Sequence, residues 1–340
     1  VLRLSRKKDF ARRTFFDMAA MNHRQCRRER SARFAGEKGR KTGPASGKKV
    51  EKMSFLYLLL IVLGITSVAY LAKLSAKGGV SSFDLTFVMF AAASVLGYFF
   101  AIFNHVATAS YTVELCSISA MAGIGGGLAV FVFNKSVRIG HFGYSNAIYR
   151  SSFLIPVIFS VAFFGAILNF VTVAGILCIL TSIVLVSWSN EAFAADRKSG
   201  NLLWFFMIIG AFGLSGLPRI GQLLISHQNL NSFAYLFMSY AVGFILLLLL
   251  FLIRRKRVKA RALLYGILAA FASYVGVYCT LEALKLMPAA VVFPVTLSAP
   301  IMLGMFISFM YREKIRLVGW IGVVVGIGGI TMLSLQTYAK

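Results

Sequence analysis

Acidic side chains are scarce. Against 36 Lys and Arg the 340-residue chain holds only 11 Asp and Glu, and 14% of it is charged. No HExxH, GxSxG or DxD pattern occurs, and no apolar stretch carries a pair of carboxylates. Zinc-protease, serine-hydrolase and two-carboxylate chemistry therefore have nothing to stand on, and no enzyme is expected. The four cysteines, Cys26, Cys116, Cys178 and Cys279, are far apart, with no CxxC or Cys/His ligand spacing. They read as small apolar residues rather than a disulfide framework or metal site, and neither metal nor cofactor is expected. The run from Gly123 to Gly127 lacks the strand that a phosphate-binding loop needs, so it reads as a packing surface.

What is present is apolar surface. Hydrophobic residues make up 59% of the chain and the mean hydropathy is +0.79. A soluble domain of this size would need more polar surface to cover its core. Ten apolar stretches lie near 54–73, 83–103, 113–134, 143–166, 170–189, 202–226, 232–253, 262–284, 288–310 and 317–337. Each is about 20 residues long, enough to cross a hydrocarbon layer of about 30 Å as a helix. The fold class predicted is an all-α membrane protein of ten transmembrane helices, with the lipid bilayer as its surroundings.

Positive charge is concentrated in two kinds of place. Residues 1–52 carry 17 Lys or Arg against 5 Asp or Glu, with almost no apolar periodicity. This extension is expected to be disordered or untranslated. Met53 stands just before the first apolar stretch, and the residues preceding it permit a purine-rich message. The connections after spans 1, 3, 5, 7 and 9 hold 15 basic residues, among them Lys73, Lys77, Lys135, Arg138, Arg197, Lys198 and the six between Arg254 and Arg261. Those after the even spans hold Lys285 alone. The positive-inside rule then puts the odd connections in the cytoplasm and both termini outside a cell membrane. Beside a bilayer such clusters anchor topology, so no nucleic-acid partner is expected.

One stretch occurs twice. Pro156 to Gly175 and on to Val186 overlays Pro300 to Gly319 and on to Ile330 at a shift of 144 residues without a gap. The longest break after the tail, Glu191 to Asn201, divides the chain into a first repeat (53–190), a linker (191–200) and a second repeat (201–338). Five spans per half is an odd number, so the halves must be inverted with respect to each other, as in many transporters.

Glycines Gly319, Gly322, Gly326 and Gly329 form a stripe on the last span, and Gly123 and Gly127 stand one turn apart on the third. Both suit close helix packing in a bilayer. Pro156, Pro218, Pro294 and Pro300 are candidate bends. Asp84 reads as a helix cap, and Glu114 and Glu282 lie near span ends. Arg150 is the exception among charges, about 10 Å along span 4. Ser145, Asn146, Tyr149, Arg150 and Ser152 share an arc of about 160° that reads as a cavity wall. In span 6, Ser215, Arg219, Gln222 and Ser226 share about 60°. Arg219 is nearer a helix end, where snorkelling to the interface competes with a substrate role.

Two five-span halves, each closing on an apolar helix, a proline, a short turn and a helix opened by glycine, resemble the EamA-type transporters of the drug/metabolite transporter superfamily. The second copy is the closer match: Pro300, Gly304, Tyr311-Arg312-Glu313-Lys314, Gly319 and Gly326. The first departs from it with Asn169 where the family usually has the turn glutamate. The resemblance implies a ten-helix bundle with a central pathway working by alternating access. The expected function is secondary transport of a small metabolite. Arg150, Asn146, Tyr149 and Ser152 are the first substrate wall and Arg219 with Gln222 the second. Buried arginine favours an anionic or zwitterionic solute. An exporter of lipophilic compounds is the alternative, for which Phe131, Phe133, Tyr274 and Tyr278 would matter more. A scaffold or channel without alternating access is the reading from another class. A homodimer is compatible with either.

Overall fold

A computed structural model describes residues 44–139, 142–166, 168–191, 202–254, 258–310 and 317–338. The tail 1–43 and the basic connections 192–201, 255–257 and 311–316, with Glu313, lie outside them, as do the side chains of Arg138, Arg254 and Pro300. Among the described residues every regular element is helical. In order they are α1 (Pro44–Lys77), α2 (Ser82–Phe103), α3 (Val113–Ile139), α4 (Phe142–Arg150), α5 (Leu154–Phe164), α6 (Phe170–Glu191), α7 (Leu202–His227), α8 (Ser232–Arg254), α9 (Ala260–Leu286), α10 (Ala289–Met310) and α11 (Leu317–Tyr338). Residues from Ser54 onward form one unit, distinct from Val1–Met53.

Each of the ten apolar stretches falls on helix. Among the described residues, seven helical segments are long and apolar enough to cross a membrane, the fourth of them combining α4 and α5. On α6, α10 and α11, each 22 residues long, the apolar stretches whose side chains are described are Phe170–Val186, Ala289–Ser298 and Leu317–Leu333. Large apolar side chains such as Phe103, Val113, Phe170 and Ile253 stay outside, at 70%, 87% or similar exposure. Apolar surface on that scale needs a lipid solvent, and the protein is a multi-pass membrane protein.

The helix ends follow local chemistry. The cap of α2 is Ser81 and not Asp84: Ser81 Oγ accepts the Asp84 N–H at 3.0 Å, which leaves Asp84 in the first turn. Thr112 Oγ1 does the same for Leu115 N–H at the start of α3. Span 4 is broken where proline requires it. Pro156 cannot donate to Ser152, and a 3₁₀ turn, Ser151–Phe153, separates α4 from α5. The Ser151 and Ser152 hydroxyls donate to the carbonyls of Ala147 (2.8 Å) and Tyr149 (2.6 Å) beside the break.

Two turns are built alike at a spacing of 150 residues. After α1, the N–H groups of Gly78, Gly79 and Val80 donate to Leu74, Ala76 and Ser75, and Gly79 has φ +70°. After α7, those of Gln228, Asn229 and Leu230 donate to Leu224, Ser226 and Ile225, and Asn229 has φ +53°. Ser81 caps the next helix in one case and Asn231 in the other.

Packing relies on missing side chains. A Cβ on Gly123 of α3 would stand 2.4 Å from the Ser239 carbonyl of α8, and one on Gly64 of α1 would stand 2.8 Å from Ala272 O of α9. The stripe on α11 is buried at Gly319, Gly322, Gly326 and Gly329. Gly329 meets the Gly175 carbonyl and Gly322 meets Val186, which brings α11 against α6. One apolar cluster joins α2, α3, α8 and α9; another joins α5, α6, α10 and α11. The site lies where these groups meet α7.

Candidate functional site

A cavity of about 270 Å³ opens inside the bundle. It takes residues from α1–α4 and from α7–α10, among them Gly123 and Gly126 of α3, Tyr149 of α4 and Ser215, Pro218, Arg219 and Gln222 of α7. The α7 residues recur at three- and four-residue steps, which puts them on one face. Pro218 cannot bond to the Leu214 carbonyl, so the ladder is open at this depth. Tyr235 Oη donates to the Pro218 carbonyl at 3.1 Å across the gap between α7 and α8. Gly221 makes room for it, since a Cβ there would lie 2.9 Å from that hydroxyl.

Arg219 is the cation of the cavity. It lines the cavity, and one of its Nη atoms donates to the Ser215 carbonyl of its own helix. Arg150 follows Tyr149 on α4. Among the described residues no Asp or Glu lines the cavity. Glu114 accepts from Gln228 Nε2 at 2.6 Å, and Glu282 accepts from Lys285 Nζ at 2.6 Å and from Ser232 Oγ at 3.0 Å. Both carboxylates are thus engaged near helix ends.

The arc read on span 4 is partitioned. Tyr149 lines the cavity, with its ring against Phe133 at 4.5 Å between centroids. Arg150 is not a lining residue: Nε donates to Asn146 Oδ1 at 3.1 Å, and Nη1 to the Leu297 carbonyl of α10 at 3.3 Å. Ser152 is buried on its own helix, and Ser145 accepts from Trp204 Nε1. On α7, Ser215, Arg219 and Gln222 come together, whereas Ser226 donates to Leu281 O at 2.7 Å. Tyr274, next to Ser273 of the lining, stacks on Phe100 at 5.3 Å, and its hydroxyl has no partner among the described residues. Tyr278 stacks on Phe233 at 5.1 Å, and Phe131 packs against Phe83.

Sequence reasoning missed the polar residues of α8–α10. Ser239, Tyr240, Ser273, Thr280 and Thr296 all line the cavity, and Tyr240 Oη pairs with Ser273 Oγ at 2.8 Å. A signal existed in α9, where Ser273 and Thr280 recur seven residues apart in an apolar helix. The arrangement offers a guanidinium, amide and hydroxyl groups, and aromatic faces in an otherwise apolar space. Its described lining includes one guanidinium and no carboxylate.

Residues 202–335, covering α7 to most of α11, match the model of the EamA-like transporter family. No curated protein matches the chain. Among solved structures, one described as "Crystal structure of protein" superimposes with a TM-score of 0.68. The match covers 85% of this chain and 98% of that one at 14% identity, a likeness of fold alone.

Proposed function

We propose that the chain, EamA-like through its second half, is a secondary transporter that moves a small anionic or zwitterionic metabolite by alternating access. The observation that carries the reading is Arg219, lining a cavity that has no carboxylate among its described lining residues. A cation at membrane depth is costly unless something balances it, and an anionic solute supplies the balance. Tyr149 and Gln222 add hydrogen-bonding groups beside it. Arg150, Asn146 and Ser152 hold the wall behind Tyr149, while Tyr274 and Tyr278 form the aromatic layer next to the cavity. The two matched turns support a duplicated chain, with repeats over 53–190 and 201–338, ten crossings, and halves inverted about the cavity. The bias of basic residues supports a plasma-membrane orientation with both termini outside.

The test is thermal stabilisation of the purified protein by a panel of small carboxylates, phosphates, amino acids and neutral lipophiles. A solute at 100 times its Kd stabilises by about 2.7 kcal/mol. Anions are expected to raise Tm in the native protein, and Arg219→Gln is expected to remove the effect. Equal stabilisation of the variant would contradict the role of Arg219. Stabilisation by lipophiles alone would favour the drug-exporter reading, which has the aromatic lining of Phe90, Tyr240 and Phe293 on its side.

A further inference from the structure

We propose that two hydrogen bonds at opposite ends of the bundle, Lys259 to Gly79 and Gln228 to Glu114, are opposed latches that set which end of the cavity opens. The proposal rests on alternating access. Lys259, the residue preceding α9, donates from Nζ to the Gly79 carbonyl at 2.5 Å. Gln228 donates from Nε2 to Glu114 Oε1 at 2.6 Å, and Glu114 is the second residue of α3. In each case the start of a third span grips the turn between the first and second spans of the other half.

The correspondence extends under the bonds. Val80 and Leu85 pack with Ala262 beneath the first latch. Leu230, Tyr235 and Leu115 share a cluster beneath the second. Val80 and Leu230 are 150 residues apart, as are Leu85 and Tyr235, while Leu115 and Ala262 are 147 apart. The bonding groups themselves differ: a lysine on a backbone carbonyl in one place, an amide on a carboxylate in the other. Helix α2 separates them. Its 22 residues run from the Gly79 turn toward the start of α3, about 33 Å at 1.5 Å per residue. One latch therefore sits at the end that carries the basic connections and the other at the opposite end.

Opening either end means moving one half's turn away from the other half's third span, which breaks the latch at that end and leaves the other intact. With both bonds formed the cavity is held between the two open states. Because the groups differ, each can be removed without touching the other, and neither belongs to the cavity.

The experiment uses Ser239→Cys, which places a thiol on the cavity wall of the full chain. A membrane-impermeant maleimide is applied to either face of sealed vesicles, and the rate of the Ser239 parent is subtracted for the native cysteines. Lys259→Met is expected to raise labelling from the basic end, relative to the opposite end, by roughly threefold, the effect of losing one modest hydrogen bond. Glu114→Ala is expected to shift the ratio the other way, and combining it with Lys259→Met should restore it. Gln228→Met removes the other partner of the same bond and must act like Glu114→Ala, which covers the case where one variant misfolds. Lys259→Arg, which keeps a donor, should behave as the parent. Unchanged ratios, or shifts in the same direction at both ends, would overturn the proposal. Labelling needs no solute, so absence of anion binding would count against the substrate reading and leave the latches standing. A thiol unreachable from both faces in every form would count against the pathway itself.

Discussion

At the scale of single residues, two arginines that look alike in sequence differ in their surroundings. Arg219 lines the cavity and Arg150 reaches the Leu297 carbonyl. Arg219→Gln removes the charge that meets the solute and should weaken binding of a stabilising anion by roughly 10- to 100-fold, the cost of a lost charge-assisted hydrogen bond. Arg219→Lys should recover part of this, since an ammonium cannot make a two-pronged contact. Arg150→Gln loses the tie to α10 and a neighbouring charge, and affinity should fall only a few-fold. Isothermal titration of the folded variants checks all three, and a loss at Arg150 as large as at Arg219 would contradict its placement behind the wall. The sequence marks both residues as unusual because charge at depth is rare. It does not show which one faces the cavity, because that depends on a carbonyl 147 positions away.

At the scale of helices and turns, glycines divide into those that touch and those that do not. Gly123→Ala puts a methyl 2.4 Å from Ser239 O and should destabilise by about 1–3 kcal/mol. Gly213→Ala meets nothing within 4 Å and should be neutral or stabilising by up to about 1 kcal/mol. Thermal unfolding in detergent distinguishes them; equal effects would mean α3 and α8 are not in backbone contact. The paired turns give a second contrast. Gly79→Ala strains a left-handed residue by about 1–2 kcal/mol, whereas Asn229→Gly relieves one and should not lower Tm. The spans were legible because an apolar run of 20 residues has few alternatives, and the stripe on α11 because small residues at one-turn spacing suit a helix contact. The partner of that stripe, α6, was not legible, since periodicity defines a face without saying what covers it. The matched turns escaped notice because Gly79 and Asn229 share a backbone conformation and not a side chain. The polar lining of α8–α10 escaped because hydroxyls in membrane helices commonly bond their own backbone, as Thr296 does.

At the scale of the whole molecule, the proposed orientation rests on where the basic residues lie. His105 and Lys77 are exposed near opposite ends of α2. With the basic connections in the cytoplasm, a cysteine replacing His105 should react with an impermeant reagent added to intact cells, and one replacing Lys77 only after the cells are opened. The reverse pattern would invert the assigned orientation. In the proposed function the cavity carries an anion across the membrane and Arg219 recognises it. Its most direct test is counterflow. Proteoliposomes are loaded with an unlabelled carboxylate or phosphate chosen from the stabilising panel, then diluted into the labelled solute. The account predicts saturable accumulation by the native protein and none by folded Arg219→Gln at equal reconstitution. Saturable counterflow of the same size in the variant, or no saturable flux with any stabilising anion, would contradict it.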